Sequence, residues 1–275
     1  MRYGFVLPTL DVTTAPKLAA LAEDAGWDAV FVPDSISIET PDYPAGPTAD
    51  PWITLAAMAV ATQRVRLGPM IAAVTRRRPW KLAKEVATLD RLSNGRMLLP
   101  VGLGAVGDDA GFRETGERMA PRERAELLGE TLTILAGLWS GSAFTHHGKH
   151  YAIGAMTQLP APLQRPRVPI WPVALWPAAR SVERALRWDG VVPQVRGRAI
   201  EPADIAAISA RARQARGSEP FDIVAEGTTE PGDAGSLARV AAFAESGATW
   251  WVEAAWSAPG ADAVRARIVA GPPRA

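Results

Sequence analysis

Short apolar segments alternate along the chain with longer amphipathic segments. The apolar segments have the length of strands and carry few polar positions, so both faces of each strand are expected to be buried, as in a parallel sheet. The amphipathic segments repeat at helical spacing, as the row Leu128, Leu132, Leu135 and Leu138 shows. Eight strands are predicted, at residues 3–8, 28–33, 65–72, 96–101, 169–175, 190–193, 221–226 and 248–252.

Residues that start or stop helices agree with this reading. Asn94 and Gly95 follow the third helical segment, where a left-handed C-cap is expected. Pro79 and Pro121 stand where helices are predicted to begin, a position that tolerates the missing N–H of proline. Eight strand–helix units in 275 residues predict an α/β fold, the (β/α)8 TIM barrel.

Residues 140–168 interrupt the alternation between the helix after strand four and strand five. Within them, AFTHHGKHYAI predicts a hairpin that turns at His147, Gly148 and Lys149. The proline-rich LPAPLQRPRVP then returns to the barrel as extended chain. We therefore expect a single domain over residues 1–275, with this insertion and a short flexible tail at 271–275.

Composition narrows the classes of function. A formal net charge of +1 gives no reason to expect nucleic acid as a partner. The absence of cysteine excludes disulfides, thiolate catalysis and cysteine-ligated metals. No apolar run approaches the roughly 20 residues of a membrane helix, and the N-terminal MRYGFVLPTLD is typical of a strand rather than a signal peptide. We expect a cytoplasmic protein that binds a small molecule rather than nucleic acid or a membrane.

Candidate chemistry is sought at the carboxyl ends of the strands, where TIM barrels place their active sites. Polar side chains at predicted strand ends include Asp34, Gln194, Glu226 and Glu253, and we select Asp34, Gln194 and Glu253 as candidate catalytic residues. Carboxylates across a barrel mouth can act as an acid–base pair, as in glycosidases. They can equally be structural partners of arginines such as Arg76.

Two strand-end loops are candidate cofactor contacts. The stretch VGLGAVG contains Gly102 and Gly104, which allow backbone to approach a flat ring or a phosphate, although a plain flexible loop fits equally well. It matches neither the dinucleotide nor the phosphate-loop motif. After strand five, a helix N-terminus near Arg180 and Ser181 is suited to a phosphate or to ordinary capping.

The three histidines, His146, His147 and His150, all lie in the predicted hairpin. Adjacent strand residues point to opposite faces, so turn composition explains them better than a metal site, and no metal is expected. Because no other histidine and no G-x-S-x-G motif is present, a serine–histidine hydrolase is disfavoured.

Several segments together resemble the bacterial luciferase-like oxidoreductases, in the order found in that family. These segments are MRYGFVLP, AGWDAVFVPD, DPWITLAAMAVATQRVRLGPMIAAVTRRRPWKLAKEVATLDRLSNGR, LPVGLG, GLWSG and LPAPLQRPRVPIWPVA. The resemblance implies a (β/α)8 barrel that binds reduced FMN or the deazaflavin coenzyme F420 at its mouth. In one branch reduced flavin reacts with oxygen, and in the other a hydride moves without oxygen; in both, the protein supplies orientation and a dry pocket.

The resemblance also implies which residues hold the cofactor. Asp34 and Ser35 match a polar pair after strand two, and the Met70–Ile71 pair matches a strand-three bulge that can contain a cis peptide in relatives. The full set of expected cofactor contacts is Asp34, Ser35, Met70, Ile71, Ala72, Gly102, Gly104, Ala174, Leu175, Trp176, Pro177, Arg180 and Ser181.

The chain departs from both branches of the family: Ser35 and Ala105 stand where many deazaflavin enzymes have histidine and glutamate, and Leu103 stands where luciferase proper has an arginine for phosphate. Reduced FMN is slightly preferred over F420. A monooxygenase acting on a small organic substrate is therefore the first hypothesis, and F420-dependent hydride transfer is the alternative. The resemblance further implies a homodimer and a separate flavin or deazaflavin reductase as a partner. Two other possibilities stay open: a carboxylate-based barrel hydrolase or lyase, and a cofactor-binding barrel without turnover.

Overall fold

The structure is a computed structural model that describes residues 1–8, 11–38, 48–105, 107, 110–256 and 260–274. Its strands and helices alternate as the hydrophobic pattern predicts. In the first half they are β1 (Arg2–Val6), α1 (Ala15–Asp24), β2 (Ala29–Val32), α2 (Pro51–Ala61), β3 (Arg66–Pro69), β4 (Ala72–Ala73), α3 (Pro79–Leu92), β5 (Leu99–Gly102), α4 (Ala110–Arg113) and α5 (Pro121–Trp139).

The second half begins with the insertion and continues the alternation. Its elements are β6 (Phe144–His147), β7 (Ala152–Met156), β8 (Ile170–Trp176), α6 (Ala179–Ala185), β9 (Gly190–Val195), α7 (Pro202–Arg216), β10 (Asp222–Gly227), α8 (Ala234–Glu245), β11 (Trp250–Glu253) and α9 (Ala261–Val269). The antiparallel β6–β7 pair confirms the predicted hairpin.

The parallel strands form a nearly closed barrel. Their order is β3-β2-β1-β11-β10-β9-β8-β5-β4, and β3 and β4 are the two parts of one strand interrupted at Met70 and Ile71. Leu67 of β3 also bridges to Met97, just before β5, so the two ends of the sheet meet. The predicted (β/α)8 TIM barrel with an insertion between α5 and β8 is confirmed.

Local chemistry explains where several helices begin and end. Asp50 caps α2 by accepting hydrogen bonds from the amides of Trp52 (2.9 Å) and Ile53 (3.0 Å). Pro79 and Pro121 are the first residues of α3 and α5, as predicted. Asn94 has a φ of 55°, which confirms the left-handed turn after α3.

The core has two layers, because each strand is buried on both faces. Side chains inside the barrel include Phe31, Met70, Trp171, Val224 and Trp250. Two larger clusters lie between the barrel and its helices. A strand residue of the interior cluster therefore points into the barrel, and a strand residue of either outer cluster points toward the helices.

Arg274 lies near the C-terminus, in the segment 271–275 that is predicted to be a tail. Its guanidinium donates to the Gly26 carbonyl oxygen (2.8 Å) and lies 5.5 Å from the ring centre of Tyr3.

Candidate active site

The end of the barrel at which the parallel strands terminate is called the mouth here. Strand β10 illustrates which side chains face it. Val224 lies in the interior cluster, whereas Ile223 and Ala225 lie beneath the helices. Since side chains alternate along a strand, Glu226 faces the interior at the mouth. Its register partner on β11, Val252, is also an interior residue.

Glu226 is the acidic group of the mouth. Its side chain is partly buried and has no hydrogen-bond or ion-pair partner among the residues that the structure describes. Burial raises the pKa of the Glu226 carboxyl, so the protonated form persists to higher pH than in an ordinary glutamate. A carboxyl of this kind, open to a concave site and without a structural partner, is suited to proton transfer.

Gln194 lies next to Glu226 along the rim. Gly190 of β9 pairs with Asp222 of β10, and Gln194 and Glu226 each follow these residues by four positions. The exposed Gln194 amide is therefore at the same height on the neighbouring strand, beside its register partner Leu175 of β8. The structure thus brings the predicted Gln194 to the mouth.

The Met70–Ile71 pair lies across the mouth from Glu226. Strand β10 is in the middle of the sheet order, opposite the point where β3 and β4 close the ring. The Met70–Ile71 peptide is cis, and both side chains pack with the interior cluster. Ala72, by contrast, lies in the layer beneath the helices.

Gly102 keeps space open beside this bulge. A Cβ atom on Gly102 would lie 3.3 Å from Cγ2 of Ile71 and 3.5 Å from Cγ2 of Val173. Gly102 therefore forms a shallow apolar shelf with Ile71 and Val173, and any larger side chain would project into the mouth. A shelf of this shape fits one face of a flat ring system.

Asp34 holds the bulge from the side of β2. Its carboxylate is 1% exposed and lies 2.7 Å from a guanidinium nitrogen of both Arg76 and Arg77. It also accepts a hydrogen bond of 2.9 Å from the amide of Ala73. These contacts occupy both carboxylate oxygens, which favours a structural role for Asp34 over a chemical one.

Ser35, the neighbour of Asp34, has an unsatisfied hydroxyl. The Ser35 Oγ is buried and has no hydrogen-bond partner in the described ranges. With Asp34, Arg76 and Arg77 it lines a cavity of about 380 Å³ beside the mouth. A buried hydroxyl without a partner is costly, so this atom is suited to binding a ligand.

The loop after β5 is fixed from outside. Gly104 has a φ of +89°, and a Cβ there would collide with the Phe112 ring. The buried Arg124 donates to the carbonyl oxygens of Leu103 (2.8 Å) and Gly104 (2.9 Å). Leu103 and Gly104 of the predicted glycine loop are therefore held by contacts with Arg124 and Phe112.

The segment after β8 divides between two sides of the barrel wall. Alternation directs Leu175 inward, whereas Ala174 and Trp176 pack beneath the helices. Trp176 lines a surface groove between α6 and α7, so its indole does not face the mouth. Pro177 follows a cis peptide bond and is exposed.

Two other predicted contacts, Arg180 and Ser181, lie on α6. The Ser181 hydroxyl accepts a hydrogen bond of 3.0 Å from the Leu175 amide, and the Arg180 side chain lines a groove between α5 and α6. Their binding of a cofactor phosphate stays a prediction.

Glu253 does not join the mouth, although it was selected as a catalytic candidate. It is the last residue of β11, and it points to the outer layer like Trp251 two residues earlier. Its carboxylate accepts from the Thr229 amide (2.6 Å) and hydroxyl (2.8 Å) and pairs with Arg267 at 3.2 Å. Glu226, another polar residue at a predicted strand end, occupies the position at the mouth that was expected for Glu253.

Two of the three histidines of the hairpin, His146 and His150, face α5. His146 and His150 lie 3.4 Å and 3.1 Å from the carboxylates of Glu130 and Glu126. In the described ranges, no three His, Asp or Glu side chains are grouped so as to hold a metal ion, and no helix is long and apolar enough to cross a membrane.

Known protein families and structures resemble this chain over most of its length. The family model described as luciferase-like monooxygenase matches residues 4–270. The chain belongs to this family. An uncharacterized protein of Mycobacterium tuberculosis is 31% identical over 203 residues, covering 68% of each chain. An F420-dependent glucose-6-phosphate dehydrogenase of Microbacterium testaceum is 34% identical over 190 residues, which cover 66% of this chain and 54% of that protein.

Solved structures share the fold at lower identity. An F420-dependent secondary alcohol dehydrogenase superposes with a TM-score of 0.77 at 18% identity, covering 96% of both chains. The F420-dependent tetrahydromethanopterin reductase of Methanopyrus kandleri gives 0.75 at 17% identity, covering 98% of this chain and 97% of that one. The monooxygenase RslO1 of Streptomyces bottropensis gives 0.71 at 22% identity, covering 98% and 79%.

Proposed function

We propose that the protein is an oxidoreductase that transfers a hydride between a deazaflavin coenzyme of the F420 type and a small carbonyl compound or its alcohol. The observation that carries the proposal is Glu226, a carboxyl of raised pKa that faces the mouth without a protein partner. Reduction of a carbonyl requires a proton at oxygen as well as a hydride at carbon. A carboxyl whose pKa is raised by burial keeps its proton to higher pH than an ordinary glutamate and can supply that proton.

The residues of the mouth fit a flat coenzyme ring. The shelf of Ile71, Gly102 and Val173 would support one face of the ring, and the unpartnered Ser35 Oγ would bind a polar edge or side chain of the coenzyme. When bound, the coenzyme supplies the hydride. Ile71 of the shelf lies across the barrel from Glu226, so a substrate would lie between the ring and that carboxyl.

In the direction of reduction, Glu226 donates its proton to the substrate oxygen and becomes a carboxylate, which regains a proton from solvent. In the direction of oxidation it accepts the hydroxyl proton. The Gln194 amide at the same height of the rim donates a hydrogen bond that orients the oxygen. Val6, Met70 and Val173 form apolar walls that exclude water from the reacting atoms.

A monooxygenase that uses reduced FMN is the second candidate. The family description and the likeness to RslO1 favour it. In that chemistry the same shelf would orient the ring, and a separate reductase would deliver reduced FMN. The two F420-dependent enzymes of known structure give TM-scores of 0.77 and 0.75, against 0.71 for RslO1, which supports the deazaflavin candidate.

Parallel anaerobic titrations test the choice of coenzyme. Purified protein is titrated with F420 and with reduced FMN, and each coenzyme's own absorbance and fluorescence are followed. The proposal expects tight binding of F420, and F420 oxidation or reduction with a panel of alcohols and ketones under nitrogen. Turnover that requires oxygen and reduced FMN would select the monooxygenase, and binding of neither would reject both.

A homodimer and a cytoplasmic location remain proposals. Helix α2 contains no charged residue, and it leaves Ile53 and Val60 64% and 66% exposed. An apolar surface of this kind supports a subunit contact at α2.

A further inference from the structure

Three arginines lie on the short helix α6 and just after it. Arg180, Arg184 and Arg187 all line the space between α6 and α5, where two cavities of about 540 and 430 Å³ share them. The space between α5 and α6 that these side chains line is called the arginine groove here. It lies on the outside of the barrel wall, away from the mouth residues Glu226 and Ile71.

These arginines form no salt bridge with any carboxylate in the described part of the chain, although carboxylates are nearby. Glu183 of α6 turns toward Arg211 of α7, with 3.4 Å between the charged groups. Across the groove, Glu126 pairs with Lys149 at 2.7 Å, and Glu130 accepts hydrogen bonds from the backbone amides of the hairpin. Glu126, Glu130 and Glu183 also line the groove, but each carboxylate contacts another partner.

Arg184 shows that the positive charge is uncompensated. Its Nε is buried without a hydrogen-bond partner, and its guanidinium makes only one long contact, 3.5 Å to the Ser181 hydroxyl. Burial, and then the charge of Arg187, lower the pKa of Arg184. A partly buried cation with a free donor is costly for a folded protein, and an anionic ligand would offset that cost.

The number and placement of the arginines indicate the kind of ligand. Arg180 and Arg184 lie about one turn apart on α6, with a rise of about 6 Å between them. Arg187 lies just beyond the end of that helix, and all three side chains line the same groove. A ligand that contacts all three must therefore carry several negative charges along its length. Charges on alternate residues of an extended peptide repeat at about 6.6 Å, which is close to the rise between Arg180 and Arg184.

We propose that the arginine groove binds an extended oligoanion, a linear chain that carries several phosphate or carboxylate groups. A single small anion would contact only one or two of the arginines. Binding is expected to weaken as salt is raised, because much of the groove is open to solvent. This site is separate from the mouth, so it does not depend on the proposed reaction.

Calorimetric titration with three probes tests the proposal. Tripolyphosphate and tetraglutamate represent the two chemical sources of an oligoanion, and inorganic phosphate represents a single anion. The double variant Arg180→Gln/Arg187→Gln removes two exposed charges from the groove. The matched control is Lys17→Gln/Arg64→Gln. It removes two exposed charges outside the groove, one on α1 and one just before β3. Thermal unfolding checks that both variants are folded.

The proposal expects at least one oligoanion to bind at least tenfold more tightly than inorganic phosphate. It further expects that affinity to fall at least tenfold in the groove variant and to change less than twofold in the control. Whichever probe binds then identifies phosphate or carboxylate as the preferred group. Binding of neither oligoanion, equal binding of inorganic phosphate, or an equal loss in both double variants would overturn the proposal.

Discussion

The Asp34 carboxylate at the end of β2 accepts a hydrogen bond of 2.9 Å from the Ala73 amide of β4. This contact links the segment just after β2 to β4, the strand that follows the Met70–Ile71 bulge. The same carboxylate lies 2.7 Å from both Arg76 and Arg77 and is almost completely buried. Asp34 therefore fixes the shelf on which the coenzyme is proposed to lie.

Replacing Asp34 by asparagine should destabilise the fold. Asp34→Asn removes the negative charge that both Arg76 and Arg77 contact, and the guanidinium side chains are only 4% and 18% exposed. Loss of one partner of a buried ion pair costs about 3–5 kcal/mol. The midpoint of urea unfolding measures the change, and Asp262→Asn on the exposed face of α9 serves as the control. Unchanged stability with lost turnover would instead assign Asp34 a chemical role.

Replacing Glu226 by glutamine should abolish most turnover while leaving coenzyme binding intact. The amide keeps the shape of the side chain but cannot donate a proton, and loss of a general acid typically costs about 10²–10⁴-fold in kcat. In the wild type, carbonyl reduction should slow as pH rises through the raised pKa of Glu226. That limb of the pH profile should be absent from Glu226→Gln.

Glu230→Gln is the matched control for this experiment, because Glu230 is exposed in the loop that follows β10. Equal turnover in the two variants would exclude Glu226 as the proton donor. A loss of coenzyme affinity equal to the loss of turnover would assign Glu226 to binding rather than to proton transfer.

The sequence predicts the barrel well because the signals are local. Strands, helices, the hairpin and the caps at Pro79, Asn94 and Pro121 each follow from a few neighbouring residues. The rule that active sites lie at strand ends also gives the mouth without a structure. Gln194 and Glu226 both belong to the set of polar strand-end residues that this rule selects.

Side-chain direction is the property that the sequence does not supply. A strand buried on both faces has no polar/apolar alternation, so nothing in WWVE or DIVAEG marks the inner face. A shift of one position exchanges inside and outside. The sequence alone therefore does not distinguish Glu253 and Trp176 from Glu226 as residues that face the mouth. In the structure the side chains of Glu253 and Trp176 face the outer layer.

Substitution of Gly104 should be costly, whereas the nearby Gly107 should tolerate a methyl group. Gly104→Ala forces an L residue to a φ of +89° and drives its Cβ into the Phe112 ring. Among the residues that the structure describes, none has an atom within 4 Å of a Cβ at Gly107. We expect Gly104→Ala to lose about 1–3 kcal/mol of unfolding free energy and Gly107→Ala to change little, both measured by urea unfolding. Equal stability would show that the loop rearranges freely.

The hairpin should detach from α5 when Glu130 loses its charge. The Glu130 carboxylate accepts hydrogen bonds from the amides of Lys149 (2.8 Å), His150 (3.1 Å) and Tyr151 (3.0 Å). Glu130→Gln should therefore speed amide hydrogen exchange at these residues and tryptic cleavage after Lys149. Glu123→Gln, also on α5 but outside the hairpin contacts, should leave both rates unchanged.

The same contacts predict how acid affects the hairpin. Hydrogen bonds lower the pKa of Glu130, and contacts with Lys149 and His150 lower the pKa of Glu126 to about 2. Because these pKa values are lowered on folding, the contribution to stability is present above the unfolded-state value and is lost as pH falls toward 2. Amide protection at the hairpin should therefore decline below about pH 4.3. Protection that is constant down to pH 2 would contradict the prediction.

Glu226 predicts the opposite pH dependence for the whole fold. Burial raises its pKa, so the folded state holds this proton more tightly than the unfolded chain does. The carboxyl costs nothing below its unfolded-state pKa of about 4.3, and its cost grows as pH rises toward the raised folded-state value. Glu226→Gln should therefore be more stable than the wild type at pH 8 and of similar stability at pH 4, as thermal unfolding would show. A variant that gains stability and loses activity is expected when the replaced group serves catalysis. An equal difference in stability between variant and wild type at both pH values would show that Glu226 ionises freely in the folded protein.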